Sequence, residues 1–333
     1  MKKLIIAMAA MMMAFASLAA AETTSDKYVT KDYDLKDFTG IVASGIYDIQ
    51  LQKSNTWKVS ISVPDALEEY LDVRVTNGKL VLAMKQVPVK ISKNYTHWTL
   101  TAKVAMPVLK SLNMSGATKF SCDDTFDIGD GTFKMEISGA SKANGLNIKG
   151  RDLDMEMSGA TSGSIKGSFV TADIEMSGAA KCNFDIDAEE LDQEVNGAAK
   201  AYHNGNFYSI KLEASGAGVF SYKNAAESMT FEASGAAKVE TSKAMIKNVR
   251  ASISGASYCE VNALSNLIVE ATGASSLRYV DNEDMDLNIR SISRGASVAK
   301  MKEQDHQDFI KTTMHGQKPM HCSLIYSERA NCL

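Results

Sequence analysis

Carboxylate side chains recur along this 333-residue chain, each three residues before a glycine. The members of this acidic column are Glu136, Glu156, Glu175, Glu194, Glu213, Glu232 and Glu270. Glycoside hydrolysis uses two carboxylates about 5–10 Å apart, and hard cations prefer several oxygen ligands. The column is therefore compatible with acid–base chemistry on a polysaccharide, with a cation or ligand groove, or with a solvated face that resists aggregation. The solvated face is the simplest interpretation, because a catalytic site needs a unique constellation and this one repeats.

Two further acidic clusters occupy less regular segments. One contains Asp123, Asp124, Asp127 and Asp130, and the other contains Asp281, Glu283, Asp284 and Asp286. Neither has the spacing of a calcium-binding loop, so a solvated acidic loop is the preferred interpretation and a calcium site the weaker one. His315, His321 and Cys322 match no zinc-binding pattern. The sequence predicts no cofactor.

Serine precedes most of the repeated glycines, as in Ser158-Gly159 and Ser177-Gly178. A serine nucleophile needs an adjacent base, and no histidine recurs with these serines, so we expect them to be structural. His97 lies beside Trp98 and is predicted to be a surface or packing residue, and His203 a core or corner residue. We therefore predict no catalytic residue and no enzymatic activity.

The glycines themselves define a repeat that must position every one of these side chains. They are Gly116, Gly139, Gly159, Gly178, Gly197, Gly216, Gly235, Gly255, Gly273 and Gly295, spaced by 18 to 23 residues. A constant period near 19 is typical of stacked repeats. Apolar residues stand two, four and six places before most of these glycines, and alternation of this kind indicates a strand with one buried face.

A corner is predicted at each glycine, because glycine adopts positive φ and serine bonds to nearby backbone. The alanine that follows each glycine is expected to face inward. A second short strand then begins, with Phe120, Cys182 and Cys259 among its inward residues. Lys134 and Lys211 flank the acidic column and further lysines recur three places past the glycine, and both sets are expected to offset its charge. Cys182 and Cys259 share one inward column four coils apart, about 19 Å, which excludes a disulfide between them.

These patterns predict an all-β parallel β-helix of about ten coils over residues 108–300, about 45 Å long and right-handed by default. Residues 22–107 are predicted to form an N-terminal antiparallel β cap, which includes a hairpin at Asn77-Gly78. Residues 301–333 lack the period and are expected to form an irregular or disordered tail, where Cys322 and Cys332 could close a loop.

Residues 1–21 have the features of a signal peptide, with Lys2 and Lys3, an apolar run and a small-residue cleavage site. We therefore predict an exported protein of the periplasm, the outer-membrane surface or the medium. No stretch of the mature chain is long and apolar enough to span a bilayer. A formal net charge of −4 and the lack of a broad basic patch with aromatics argue against nucleic-acid binding.

The chain resembles the putative auto-transporter adhesin, head GIN domain family of exported bacterial proteins. Similar to that family are Phe38-Thr39-Gly40-Ile41, Ser44-Gly45-Ile46 with Asp48-Ile49, Asn77-Gly78-Lys79-Leu80, Pro107-Val108-Leu109 and the Ser115-Gly116-Ala117 repeats. The resemblance covers about residues 28–300 and implies a β-helix-like fold. It implies no established activity and no catalytic residues.

Two functions follow as expectations. The first is a non-enzymatic envelope or surface protein that presents its repetitive face to an envelope protein or a glycan. The second, weaker one is a polysaccharide lyase or hydrolase that would use Glu175, Glu194 and Glu213 at coil spacing. The second rests on analogy with other parallel β-helices, and no unique base, arginine or aromatic sugar platform interrupts those coils.

Overall fold

The computed structural model describes residues 27–92 and 98–301. The predicted signal peptide, His97, and the predicted tail after Met301, with Cys322 and Cys332, lie outside the described residues. Within them, almost every segment is extended. Two short helices interrupt this pattern, a 3₁₀ helix at Asp65–Tyr70 and a one-turn α-helix, α1, at Val89–Ser92.

The described residues contain 25 strands, all joined in one hydrogen-bonded system. In chain order they are β1 (Tyr28–Tyr33), β2 (Gly40–Gly45), β3 (Tyr47–Lys53), β4 (Lys58–Pro64), β5 (Leu71–Thr76), β6 (Lys79–Met84), β7 (Leu100–Met106), β8 (Ser111–Gly116), β9 (Lys119–Cys122), β10 (Thr125–Asp127), β11 (Thr132–Ile137), β12 (Lys142–Lys149), β13 (Asp152–Met157), β14 (Ser162–Ser168), β15 (Thr171–Met176), β16 (Lys181–Val195), β17 (Lys200–His203), β18 (Phe207–Ala214), β19 (Val219–Tyr222), β20 (Ala225–Ala233), β21 (Lys238–Ile253), β22 (Tyr258–Ala271), β23 (Ser276–Tyr279), β24 (Asp286–Ile292) and β25 (Ser297–Lys300).

Each coil of the solenoid has one strand segment before its corner glycine and one after it. We call these the pre-corner and post-corner strands. Pre-corner strands pair in parallel with pre-corner strands of the next coil, as β11 does with β13 and β13 with β15. Post-corner strands do the same, as β17 does with β16 and β19. The parallel β-solenoid predicted from the period is confirmed; its handedness stays a prediction.

The pairing is in register, so residues at equivalent positions form straight columns along the solenoid. Met155 pairs with Met135 and with Ile174, and all three side chains are buried. Cys182 and Cys259 lie in one inward column, four steps apart through Ala201, Phe220 and Val239, as the sequence predicted. Both thiols are free and buried, so these cysteines fill the core.

The N-terminal region differs from the prediction in one respect. Its antiparallel pairs exist: β1 with β4, β4 with β7, and β5 with β6 across the expected Asn77-Gly78 turn. However, β2 and β3 are parallel to β8 and β9, and Gly45 pairs with Gly116. Residues 40–53 are therefore the first coil of the solenoid and not part of an antiparallel cap.

The chain then leaves the solenoid after β3 and rejoins it at β8. Within this insertion, β6 pairs in parallel with β2, and β7 pairs in parallel with β3. These two strands cover the side of the first coil that β8 and β9 leave free. The end of the core is thereby closed, because an uncovered coil would expose apolar side chains and unpaired backbone groups.

One continuous apolar core runs from Phe38 to Tyr279. Its last layer is more open among the described residues, since Ile289 and Ile292 of β24 are 42% and 51% exposed. Ile292 continues the inward column of Ala271, which is fully buried. Within residues 27–92 and 98–301, no helix is long and apolar enough to cross a membrane.

Candidate binding faces

The corner glycines fix the direction in which both strand sets present their side chains. From Gly116 to Gly273 these glycines have φ between +64° and +80°, a region that other L-residues rarely adopt. They also pack directly on one another. A Cβ built at Gly178 would lie 2.9 Å from the backbone N and O of Gly159, so glycine is required by contact as well as by φ.

The alanines that follow the glycines do not face inward, contrary to the prediction. Ala117, Ala179 and Ala236 are all exposed. Their amides instead continue the parallel ladder through the corner, as Ala179 N does to Gly159 O at 2.8 Å. The buried corner residue is the next one along the chain, for example Thr118, whose hydroxyl donates to Ser115 O at 2.9 Å.

The acidic column stacks on the pre-corner strands as its spacing predicted. Glu136, Glu156, Glu175, Glu194, Glu213 and Glu232 are consecutive register partners, and Ser252 separates Glu232 from Glu270. At about 4.8 Å in water, each neighbouring pair of charges repels by about 0.9 kcal/mol before screening. Burial, with the nearby Glu194, Asp173, Glu156 and Asp154 carboxylates, raises the pKa of Glu175.

A second outward column on the same strands increases the negative charge of this face. It contains Lys134, Asp154, Asp173, Asp192 and Lys211 in consecutive register. The lysines at its two ends form ion pairs, Lys134 with Asp154 at 2.7 Å and Lys211 with Asp192 at 3.0 Å. Asp173 lies between the two pairs, and burial together with Asp192 and Asp154 raises its pKa.

The lysines three places past the glycines form a separate column on the post-corner strands. This lysine column is Lys119, Lys142, Ser162, Lys181, Lys200, Val219 and Lys238 in consecutive register. Lys238 is paired with Glu240 at 2.5 Å. The expectation that lysines offset the acidic column is met only in part. The flanking Lys211 pairs with Glu213 of that column at 3.5 Å, whereas the lysines past the glycines form no ion pair with it, because the corner places the two columns on different strand sets. No described carboxylate forms an ion pair with Lys119, Lys142, Lys181 or Lys200.

His203 is buried in the core, as predicted, and is not available as a surface base. Its Nε2 lies 3.1 Å from Gln193 Oε1, and its ring stacks on Phe184 with 4.6 Å between ring centroids. Because an amide oxygen only accepts, the Nε2 atom carries the hydrogen and Nδ1 is an acceptor without a protein partner. Burial lowers the pKa of His203 to about 3, so the ring is neutral.

The first acidic cluster is used for backbone contacts. Asp124 Oδ2 accepts a hydrogen bond from Lys53 N at 2.7 Å, and Asp127 Oδ1 accepts one from Gly129 N at 2.9 Å. In the second cluster, Asp281 pairs with Lys300 at 2.7 Å. Among the residues that the structure describes, no group of three or more His, Cys, Asp or Glu side chains could hold a metal ion.

Sequence reasoning missed two parts of this arrangement. The corner at Gly45 lies 71 residues before Gly116, outside the period, because the insertion separates them; the phrase Ser44-Gly45-Ile46 was the available signal. The aromatic neighbours of the lysine column were also missed. Tyr202 lies two residues after Lys200 on the same post-corner strand, and its ring centroid is 5.6 Å from Lys181 Nζ of the preceding coil.

A parallel β-solenoid with a covered N-terminal end, stacked glycine corners and two oppositely charged outward columns defines a class of repetitive β-helix proteins. The sequence model of the family described as putative auto-transporter adhesin, head GIN domain matches residues 37–225 and 179–282. The chain therefore belongs to that family. A search of curated proteins gives no match.

The chain is also similar to several solved structures, among them three from Parabacteroides species. A putative adhesin from Parabacteroides merdae is 19% identical over 84% of this chain and 98% of its own, with a TM-score of 0.48. A putative adhesin from Parabacteroides distasonis is 18% identical over 83% and 98%, with a TM-score of 0.46. A putative lipid binding protein from Parabacteroides distasonis is 17% identical over 84% and 98%, with a TM-score of 0.40.

Proposed function

We propose that this chain is an exported, non-enzymatic protein of the bacterial cell envelope or surface that binds an extended partner through its charged columns. The observation that supports this most directly is the regularity of those columns. Seven glutamates and five lysines stand at constant positions over most of the coils. A surface of this kind presents the same charged group at intervals of about 4.8 Å, which suits a long partner better than a small substrate.

The state of the most reactive side chains in the described residues supports a binding role over catalysis. His203 is buried and neutral. Burial raises the pKa values of the Cys122, Cys182 and Cys259 thiols, whereas a reactive cysteine needs a lowered one. The membership of the family and the predicted signal peptide are consistent with work outside the cytoplasm.

Export and binding require separate experiments. For export, we expect a C-terminally tagged full chain to be recovered from periplasm, outer membrane or medium, with the segment 1–21 removed on mass spectrometry. Recovery of the uncleaved chain from the cytoplasm would contradict the proposal. For binding, the purified mature chain is applied to an envelope glycan array, to envelope proteins and to lipid vesicles, and specific retention on one of them is expected. Retention on none would contradict a binding role.

One observation favours an enzymatic alternative, namely the raised pKa values of Glu175 and Asp173. A carboxyl with a raised pKa beside an ionised one is the arrangement of glycosidases, and the predicted lyase or hydrolase would use Glu175, Glu194 and Glu213. The test is the release of reducing or unsaturated ends from acidic polysaccharides. Activity that Glu194→Gln abolishes would favour the enzyme, and no release would favour the binding protein.

A further inference from the structure

We propose that the lysine column is a binding site for a linear polyanionic polysaccharide, one that carries carboxylate or sulfate groups along its length. This inference rests on the proposed binding function and names the class of ligand and the face that takes it. It follows from the geometry of the column, from the lack of ion pairs at four of its lysines, and from the side chains beside it.

The geometry is that of a one-dimensional array of cations. From Lys119 to Lys200 the column advances four coils, which is about 19 Å at a spacing of about 4.8 Å. Lysine occupies four of these five rows, and Ser162 occupies the remaining one. A polymer that lies along the solenoid axis would meet a cation in almost every coil, because the rows are hydrogen-bonded in register.

The lysines of the column between Lys119 and Lys200 form no ion pairs within the described residues, unlike several lysines elsewhere in the chain. Lys134, Lys211 and Lys247 form ion pairs at 2.7, 3.0 and 2.7 Å with Asp154, Asp192 and Glu227. Lys119, Lys142, Lys181 and Lys200 have no such pair with any described carboxylate. Stacked cations without ion pairs repel one another, and a bound polyanion would relieve that repulsion along the column. Lys119, at its end, also has a carboxylate residue, Asp48, as its register partner in the first coil.

A neighbouring outward column, two residues further along each post-corner strand, explains the preference for a sugar polymer. Beside the lysines, this column contains the neutral residues Asn144, Ser164, Asn183 and Tyr202. Amides and hydroxyls can bond to sugar hydroxyls, and the ring of Tyr202 offers an apolar surface next to Lys181. Carboxylates enter this column only later, at Glu240 and Glu260.

The acidic column of a second copy is the other occupant that the charges allow. It suits the lysine column less well. The acidic face includes Lys134 and Lys211, which would face the lysines of the first copy. In addition, β-sheets twist, so two rigid faces lose contact after a few coils, whereas a flexible linear polymer follows the column.

The test compares two triple variants of the full mature chain that lose the same charge. Lys142→Gln/Lys181→Gln/Lys200→Gln removes the unpaired lysines, and Lys134→Gln/Lys211→Gln/Lys247→Gln removes paired lysines outside the column. Affinities are measured by biolayer interferometry for polygalacturonate, dextran sulfate, neutral dextran and a single-stranded DNA oligonucleotide. Circular dichroism and thermal melting establish that both variants fold like the parent.

We expect the parent to bind polygalacturonate or dextran sulfate and not neutral dextran, with weaker binding at higher salt. The first triple variant should lose about tenfold in affinity, within the roughly three- to hundredfold range that three exposed ion pairs allow, and the second should stay within about twofold of the parent. If polygalacturonate binds more tightly, the column recognises carboxylates; if dextran sulfate binds more tightly, it recognises sulfates.

Equal losses in both variants would overturn the inference, because net charge alone would then explain binding. Equal affinity for the oligonucleotide would also overturn it, since the column would then not select a polysaccharide. Self-association in analytical ultracentrifugation that the first triple variant abolishes would assign the column to a second copy. If neither polyanion binds while the mature chain still binds an envelope component, the inference fails and the proposed function stands.

Discussion

Replacing one corner glycine by alanine tests whether glycine is required there for close packing between coils or only for its positive φ. Gly178 has φ of +70°, and an added Cβ would lie 2.9 Å from Gly159 N and O. Gly78, in the hairpin turn, has φ of +69° with nothing within 4 Å of an added Cβ. The two glycines therefore share the backbone conformation and differ in the contact.

The conformational term is common to both variants. Left-handed φ costs an alanine about 1–2 kcal/mol, and the stiffer unfolded chain returns about 0.4–1 kcal/mol. We expect Gly78→Ala to lose about 1 kcal/mol. Gly178→Ala should lose about 2–4 kcal/mol, because forced overpacking adds about 1–3 kcal/mol and the obstructing atoms are backbone.

Urea unfolding followed by circular dichroism measures both losses in the same protein. Amide exchange adds a local readout, because the Ala179 N to Gly159 O and Ala198 N to Gly178 O bonds flank the corner. We expect faster exchange at both amides in Gly178→Ala only. Equal destabilisation by the two substitutions, with unchanged exchange at these amides, would refute the idea that the corners pack glycine on glycine.

Three further predictions concern the core and the acidic face. Gln193→Leu leaves the donor at His203 Nε2 without its partner and should lower the free energy of unfolding by about 1–3 kcal/mol. The double variant Gln193→Leu/His203→Phe should recover most of that loss in urea unfolding. If it recovers none, the polar pair itself stabilises the core. Glu175 has a raised pKa in the folded chain, so its ionised form disfavours folding. Glu175→Gln should therefore raise the melting temperature at pH 7, and this gain should disappear as the pH falls through the raised pKa. A gain in melting temperature that persists at low pH would contradict the repulsion argument. Cys182 and Cys259 should not react with a thiol reagent in the folded chain and should react fully in denaturant, and rapid labelling of the native chain would contradict their burial.

Much of the fold could be predicted because stacked parallel strands repeat one environment. Each inward column takes an apolar residue in most coils, so the alternation around Met135, Met155 and Ile174 appears in the sequence; Gln193, the next residue of that column, is a buried polar exception. The first coil escaped prediction for a physical reason. Its hydrogen-bonding partners lie in β6 and β8, far along the chain, and an insertion hides a contact that a constant period would have shown.

The candidate faces were predictable in composition and less so in arrangement. Alternation fixes whether a side chain faces out, which placed the acidic column correctly. It does not say how sharply the chain turns between Glu175 and Lys181, six residues apart. Gly178 turns the chain between them, so the two charges belong to different strand sets. The exposed position of Ala179 follows from the same turn, since the parallel ladder uses its amide and leaves its methyl group outside.

The same regularity determines how any function of these columns must be tested. In-register stacking gives each lysine row nearly the same environment, so a long ligand would divide its binding free energy among several rows. An exposed ion pair contributes about 0.2–1 kcal/mol, which is at most about a fivefold change in affinity. A single substitution in the lysine column would therefore resemble a neutral surface change. Substitutions in several rows, compared with an equal number outside the column, are needed to distinguish a binding face from a solvated one.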